Sequence, residues 1–504
     1  MRAASNCVRA SLATLALACL VPLAAHAQGQ ALPVEMPSPL PTPTPNTSPV
    51  PYPAYGTPVP DVQQLTAHAG VPVVVTLEQA EKLAVALSPV FETQNAQWAA
   101  IHAKYTSEQQ ALFPGVSGTA SMGKQYSDST SSLGSGSARS TPRPGELFKS
   151  TTASESAGIS ITQLIYDGGR VIAAIHTAKE SDIAGRATLL RQLETLQLNV
   201  ANTYYTVLSD NATVAADVQL VREFETNENA VRAQIRNGAS ARSDLAGAQF
   251  QTAQARGQLV TAQGAAIGAQ AVFATTLGLD ADTQVVPEQI GAESTQPSPT
   301  YAISLKRAFI LRPDYLAAAH NVTAAQENLR YAKLARFPVL TAGASDSVSR
   351  DFLDSTYVLP KSTVSAQSNG YDNTKVLGLT LTVPIYDQGL TNYNVALAAS
   401  QLDQARASLQ LTRLTVESDV RSALANLISA RANLVQATAE RNAAQVSLDA
   451  TQAQYKVGAA TILNLVTAEA NLSTASATYI SALYGVRTAE QNYLYATGAS
   501  DLQL

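Results

Sequence analysis

The chain repeats itself at a fixed spacing. Asp167-Gly168-Gly169-Arg170 returns 220 residues later as Asp387-Gln388-Gly389-Leu390. Arg236-Asn237-Gly238-Ala239 returns at the same offset as Lys456-Val457-Gly458-Ala459, and Leu277-Gly278 as Thr497-Gly498. Between the first two landmarks neither copy has gained or lost a residue. Loops of a globular enzyme tolerate length drift; a segment that must reach a fixed distance does not. Internal repetition therefore governs the reading of every other feature.

From Arg170 to about Arg236 there is no proline, and Gly185 is the single glycine. Leu193, Val200, Val207, Val214 and Val221 recur every seven residues. In the second copy Val395, Leu402, Leu409, Val416, Ala423, Ala430, Ala437 and Ala444 keep the same register. A sustained heptad implies a supercoiled helix with a narrow seam. About 67 residues at roughly 1.5 Å each reach on the order of 100 Å. Gly238 and Gly458 suit the left-handed position that ends a helix, and return helices are expected over about Ser240–Leu277 and Thr461–Tyr495. Ahead of each long helix lies a shorter one. Thr76-Leu77-Glu78-Gln79 reads as a capping box, and that helix is expected to run through Ser88-Pro89 with a kink to about Leu112. Its counterpart is expected from about Thr300 to Arg336, across Arg312-Pro313-Asp314. Phe113-Pro114 and Phe337-Pro338 stop them.

Four strands of about ten residues are expected over Val116–Lys124, Ala157–Tyr166, Val339–Ser347 and Val376–Tyr386, with polar loops between the members of each pair. In the clearest, Leu377, Leu379, Leu381, Val383 and Ile385 face one way and Gly378, Thr380, Thr382 and Pro384 the other. That is the length and pattern of a transmembrane β-strand. Hydrocarbon permits no open sheet edge, and four strands are too few to close a barrel. Sister chains must complete it; a cyclic trimer would supply twelve strands. The expected fold is mostly α with a small β part: long antiparallel coiled-coil helices and four transmembrane strands per chain.

Arg2 and Arg9, an apolar Leu12–Leu23 run and Ala25-His26-Ala27 read as a secretory leader, 1–27. Cys7 and Cys19, the chain's two cysteines, both fall in it, which leaves the mature chain neither a disulfide nor a thiol catalyst. Cys19 as a lipid acceptor is the alternative, though Ala16-Leu17-Ala18 fits that signal poorly. Residues 28–72, rich in Pro, Thr and Ser, are expected to be an extended linker. The two repeats then occupy 73–285 and 286–504. A net charge of -5 with 14% charged residues is not the composition of a nucleic-acid surface. His68, His102, His176 and His320 lack metal-ligand spacing, and no phosphate or dinucleotide fingerprint is present. An enzyme, a metal site and a bound cofactor are accordingly not expected.

The second copy's Leu379-Thr380-Leu381-Thr382-Val383-Pro384-Ile385-Tyr386-Asp387-Gln388-Gly389, its Tyr455-Lys456-Val457-Gly458-Ala459-Ala460-Thr461-Ile462-Leu463-Asn464, and Arg312-Pro313-Asp314 resemble motifs of the TolC-like outer membrane efflux proteins. The resemblance covers about residues 73 to 499. It implies a homotrimer with a 12-strand β-barrel in outer membrane lipid and a 12-helix tunnel in the periplasm. It also implies a closed periplasmic mouth, opened by a periplasmic adaptor and an inner-membrane transporter. The turns Asn237-Gly238-Ala239 and Val457-Gly458-Ala459 become the expected adaptor contacts. In the family's best-known member acidic residues and a nearby base tie the mouth. The matching positions here are Asn464 and Thr467 for the acids and Ala460 for the base, while Asp244 and Tyr455 match polar members of that network. The resemblance then implies a mouth held by packing and neutral hydrogen bonds, with weak cation binding. Asp244 as a plain helix cap is the competing reading. For the whole chain the alternatives are a non-transporting stalk, which would need no strands, and a self-standing porin, which would need no long helices.

Overall fold

The computed structural model describes residues 73–129, 147–237, 241–289, 300–359 and 362–499. The expected leader, the whole of the linker, and Gly238 and Ala239 lie outside the described residues. Each copy runs helix, helix, strand, strand, long helix, return helix. The first comprises α1 (Leu77–Leu87), α2 (Pro89–Gln110), β2 (Gly115–Ser129), β3 (Leu147–Tyr166), α3 (Arg170–Arg236) and α4 (Arg242–Thr276). The second comprises α5 (Tyr301–Leu311), α6 (Pro313–Leu334), β5 (Val339–Leu359), β6 (Ser362–Thr382), α7 (Leu390–Lys456) and α8 (Ile462–Thr497). Two three-residue strands, β1 (Val73–Val75) and β4 (Val285–Pro287), pair in parallel.

The long helices α3 and α7 are each 67 residues. Both start the same way. A glycine at the N-cap has positive φ, 87° at Gly169 and 88° at Gly389, and an aspartate two residues earlier fills the free amides. Asp167 accepts from Gly169, Arg170 and Val171, and Asp387 from Gly389 and Thr391. The hydrogen bonds from Thr391 hold the Asp387 carboxyl below its usual range. A carboxylate at this position also suits the positive end of the helix dipole. The heptad positions lie inward: Leu193, Val200, Val207, Leu402, Val416 and Ala437 are buried.

The expectation of a single helix ahead of each strand pair, kinked at Ser88-Pro89 in the first copy, is corrected. Ser88 and Arg312 are extended, with ψ of 117° and 119°, and each separates two distinct helices. The residue before proline is pushed out of the helical region, and Pro89 and Pro313 then serve as first-turn residues of new helices. These breaks meet the ends of the return helices. Gly278 (φ 83°) and Gly498 (φ 67°) close α4 and α8 with matching bonds, Leu279 N–H to Ala274 O and Ala499 N–H to Leu494 O, both 2.9 Å. A methyl group on Gly278 would lie 2.6 Å from the Leu87 carbonyl oxygen, and one on Gly498 2.8 Å from the Arg312 nitrogen.

A charged cluster occupies the second junction. The Arg312 residue is 1% exposed. Its guanidinium donates to Asp314 at 3.0 and 2.6 Å, to Asp419 on α7 at 3.0 Å and to the Ala496 carbonyl on α8 at 3.3 Å. Arg191 on α3 joins from the other side. It bonds Glu194 at 2.7 Å and the Tyr495 carbonyl at 3.0 Å, and stacks 3.6 Å from the Tyr495 ring. Burial works against the charge on Arg312 and Asp314, yet their mutual bonds outweigh it: the Arg312 guanidinium is raised and the Asp314 carboxyl lowered from their ordinary values. Nearby, the main apolar core packs Ala80, Leu83, Val200, Val207, Phe273 and Leu277 around Tyr204. The Tyr204 hydroxyl donates to the carbonyls of Val75 and Glu288, fastening the β1–β4 pair to the middle of α3. Burial pushes this phenol up to about 12.

The four long strands form one antiparallel sheet in the order β2-β3-β5-β6, so among the described residues β2 and β6 each leave one edge unpaired. They are longer than expected: 15, 20, 21 and 21 residues against about ten. Of the stretches expected to be polar loops, 125–129, 147–154, 348–359 and 362–373 continue the ladder instead, and 130–146 and 360–361 lie outside the described residues. β6 also ends at Thr382, opposite Val339, so Val383 and Ile385 lie beyond it. The facing strand begins just after Pro338, and Pro384 offers no N–H, so nothing continues the pairing.

Two outcomes test this assembly. Gly278→Ala and Gly498→Ala combine backbone strain with a clash and should each cost about 2–3 kcal/mol, whereas Gly389→Ala, with nothing within 4 Å, should cost about 1 kcal/mol. The midpoint of heat-induced loss of helical circular dichroism ranks them. Arg312→Ala strands two carboxylates and should cost about 3–5 kcal/mol. Arg312→Lys should fail to restore the melt, because an ammonium cannot reproduce the forked contact.

Candidate membrane band and periplasmic gate

The register of the sheet sorts its side chains into two faces. Val116, Ile161, Ala344 and Leu377 form one cross-strand row, and Leu379 beside Ala342 and Leu381 beside Leu340 extend it. Leu377 is 86% exposed, Leu379 71% and Leu381 61%, an apolar surface that none of the described residues covers. The other face is small and polar. Thr341 lies beside Thr380 and Gly343 beside Gly378, while Ser117 and Ser160 join hydroxyls at 2.7 Å and Ser121 and Ser156 at 2.8 Å. Above the apolar rows Lys375 and Asp346 pair at 3.0 Å. Beyond them the strands carry Arg350, Asp351, Asp354 and Asp372. The apolar band therefore keeps roughly the ten-residue height of a membrane strand, and the extra length is a polar extension.

At the far tip, α3 and α7 end and α4 and α8 begin. Gly458 (φ 78°) closes α7: its N–H bonds Tyr455 O at 3.0 Å, and the Ala459 N–H bonds Gln454 O at 2.8 Å. Val457 is 79% exposed at this apex; Ala459 and, on the first turn, Asn237 are also exposed. The Tyr455 hydroxyl donates to Gln234 Oε1 at 3.2 Å, tying the end of α7 to the end of α3. Burial, and then the Asp244 carboxylate, push the Tyr455 phenol above its usual value. Asp244, Tyr455 and Gln234 thus share one corner. Asp244 also accepts from the Ala241 N–H at 3.2 Å, completing the first turn of α4. Ala460, half-buried, precedes the start of α8, and Asn464 and Thr467 lie exposed on its opening turns. The Asn464 N–H donates to the Thr461 hydroxyl at 3.3 Å, and the Thr467 hydroxyl donates to Leu463 O at 2.8 Å. Gln234 escaped the sequence reading, since a lone glutamine on a charged helix face carries no signal beyond its place beside the Asn-Gly turn.

A model of the outer membrane efflux protein family matches residues 82–279 and 305–499, one segment in each copy. The chain belongs to the outer membrane efflux protein family. It is 26% identical to the outer membrane efflux protein BepC of Brucella suis over 68% of its own length and 71% of that protein's. It is also 26% identical to the outer membrane protein TolC of Escherichia coli, over 69% and 70%. The crystal structure of the CmeC outer membrane channel of Campylobacter jejuni superposes with a TM-score of 0.67 at 17% identity, covering 84% of this chain and 85% of that one. The fold is that of a TolC-type channel, the protein resides in the Gram-negative outer membrane, and its helical part extends into the periplasm. Members of this family are channels, not enzymes.

The Tyr455–Gln234 bond should contribute about 0.5–1.5 kcal/mol of coupling between α7 and α3. A double-mutant cycle of Tyr455→Phe and Gln234→Ala, read by urea unfolding of the purified protein, measures it.

Proposed function

We propose that the chain forms the passive exit duct of a tripartite efflux or type I secretion system, and that Asn464, Thr467, Ala460, Tyr455 and Asp244 line its periplasmic mouth. The carrying observation is an open sheet with an apolar face and two unpaired edges, standing on two helical arms of equal length. A sheet of that kind is sealed in lipid only when β2 of one copy pairs with β6 of the next. Three copies give twelve strands, enough for an aqueous lumen. The long and return helices of the same three copies give a twelve-helix wall. TolC-type channels are trimeric and work with an adaptor and an inner-membrane pump, which supports the same assembly here. The face with Leu377, Leu379 and Leu381 then meets lipid, Val383 and Ile385 follow it at the periplasmic rim, and the Ser- and Thr-rich face lines the bore. Energy and selectivity belong to the pump.

The mouth is held by packing and neutral hydrogen bonds. Exposed Val457, with Gly458 and Ala459 and the first-copy turn Asn237, Gly238 and Ala239, forms the adaptor contact.

Purified protein in planar bilayers should show small, long-lived conductance that rises severalfold in Tyr455→Phe/Gln234→Ala. A trimer without any pore is the outcome expected of a stalk. Millimolar divalent cations should leave the natural current nearly unchanged and block the Asn464→Asp/Thr467→Asp variant, which builds a ring of carboxylates. Deleting the gene should sensitise cells to dyes and detergents, or stop export of one polypeptide, which separates drug efflux from secretion. Val457→Asp should weaken adaptor cross-linking and leave bilayer conductance intact.

A further inference from the structure

We propose that Glu469 is a proton-binding site between the two helical hairpins, and that its proton keeps α8 seated on α3. Glu469 lies on α8 and is 3% exposed, although it is a carboxylic acid. Its Oε2 is buried without a hydrogen-bond partner. Leu465 and Ala468, beside it on α8, pack against Leu448 of α7. A native buried polar group without a partner calls for an explanation. An ionised carboxylate here would be strongly disfavoured, whereas a protonated one is neutral.

The charges around it sharpen the argument. From α3 the group that acts on Glu469 is another carboxylate, Glu223. Arg222, next to it, is exposed, and Asp217 is itself raised by burial. On α7, Arg441 is engaged 4.8 Å from the Tyr479 ring and Asp449 with Gln445. On α5, Lys306 and Arg307 are exposed. The remaining charges of α8, Arg487 and Glu490, form an ion-paired group with Arg431. Glu469 therefore meets like charge across the α3–α8 contact. Burial first, and Glu223 second, raise its carboxyl to about 7.

The sign follows from linkage. In a separated, hydrated arrangement the carboxyl returns to its ordinary value, near 4.5. The seated arrangement binds the proton more tightly, so it is most favoured below that value and loses ground as pH rises to about 7. Within that window the separated population grows by at most about tenfold per pH unit for each site. Above it, a carboxylate pair drives α8 from α3 on the tip side of the main apolar core. The proton is thus a lock on one hairpin, distinct from the Tyr455–Gln234 tie at the tip.

The test uses the full chain in lipid nanodiscs. Infrared spectra between pH 5 and 8.5 should show a protonated-carboxyl C=O band that is lost with a midpoint near 7 and is absent in Glu469→Gln. Nitroxide labels at exposed Thr226 on α3 and Asn471 on α8 report the contact, and the chain's two cysteines both lie in its first 19 residues. A longer-distance population should grow severalfold from pH 5.5 to 8 in the natural protein. It should stay at its low-pH level in Glu469→Gln, a neutral isostere, whereas in Glu223→Gln, which removes the like charge, the midpoint should fall to lower pH than in the natural protein. Distances that ignore pH in the natural protein, an unchanged response in Glu469→Gln, or no titrating band would each overturn the proposal. None of these readouts depends on transport, so the site stands or falls apart from the duct reading.

Discussion

A sheet with two free edges cannot rest in hydrocarbon, and the rest of this structure answers that constraint. Each unpaired backbone group there costs several kcal/mol. The chain supplies four strands with one apolar face and leaves β2 and β6 open at the ends of the sheet. Closure has to come from copies of the same chain, and closure by rotation places the same arms at the same height around the axis. A ring of helices that begins at one level and tapers at another requires every arm to have one length. The twin 67-residue helices, each launched by an aspartate and a positive-φ glycine, meet that requirement.

Midway down the arms the problem is different, because water surrounds the backbone. There the chain interrupts its outer helices at Ser88 and Arg312 and wedges the ends of α4 and α8 into the gaps. The second gap holds Arg312 with Asp314 and Asp419, and Arg191 with Glu194. Buried charge of this kind is weak evidence for stability. Its geometry does fix register: one guanidinium bonds groups on α6, α7 and α8, so a slip of any of them along its axis breaks a contact. Apolar packing between alanine-rich helices gives little resistance to such a slip. The polar cluster therefore sets the relative heights of the helices that the lipid-facing sheet requires.

Much of this was legible in the sequence, for physical reasons. A heptad without proline over 67 residues has few other solutions, and the helix limits fell within a residue or two because glycine and aspartate mark them. The strands were legible only where side chains alternate between apolar and small. Above the membrane charged and polar residues enter both faces among scattered apolar ones, so the period-two signal vanishes at Lys124, Glu155 and Asp351 although the backbone ladder continues. The helix breaks were hidden because Pro89 and Pro313 are as compatible with a kink as with a new first turn; only the packing of Leu87 against Gly278, and of Arg312 against Gly498, decides between them. At the far tip Tyr455 was visible from its motif, but its partner Gln234 lies on the other hairpin, and no local pattern links them.

The two copies also show where the constraint on length is relaxed. Phe113-Pro114 and Phe337-Pro338 stand 224 residues apart, yet Asp167 and Asp387 stand 220 apart. Four residues are lost in the second copy between the end of the outer helix and the start of the long one, the region that holds the strands and their polar extensions. Past that point the offset never changes. Length drift is tolerated where the chain projects into solvent and is excluded where arms must meet at a common mouth. Chemistry drifts even there. Ala241 and Asp244 occupy the places of Thr461 and Asn464. In the first copy the side chain of Asp244 satisfies the amide of Ala241, while in the second the hydroxyl of Thr461 satisfies the amide of Asn464. The capping duty has passed from the third helical residue to the cap itself. A neutral residue at 464 is therefore sufficient to start α8, and a carboxylate there is not needed for capping. The repeat keeps reach and backbone geometry, and it leaves the charge at the helix starts of the far tip free to change.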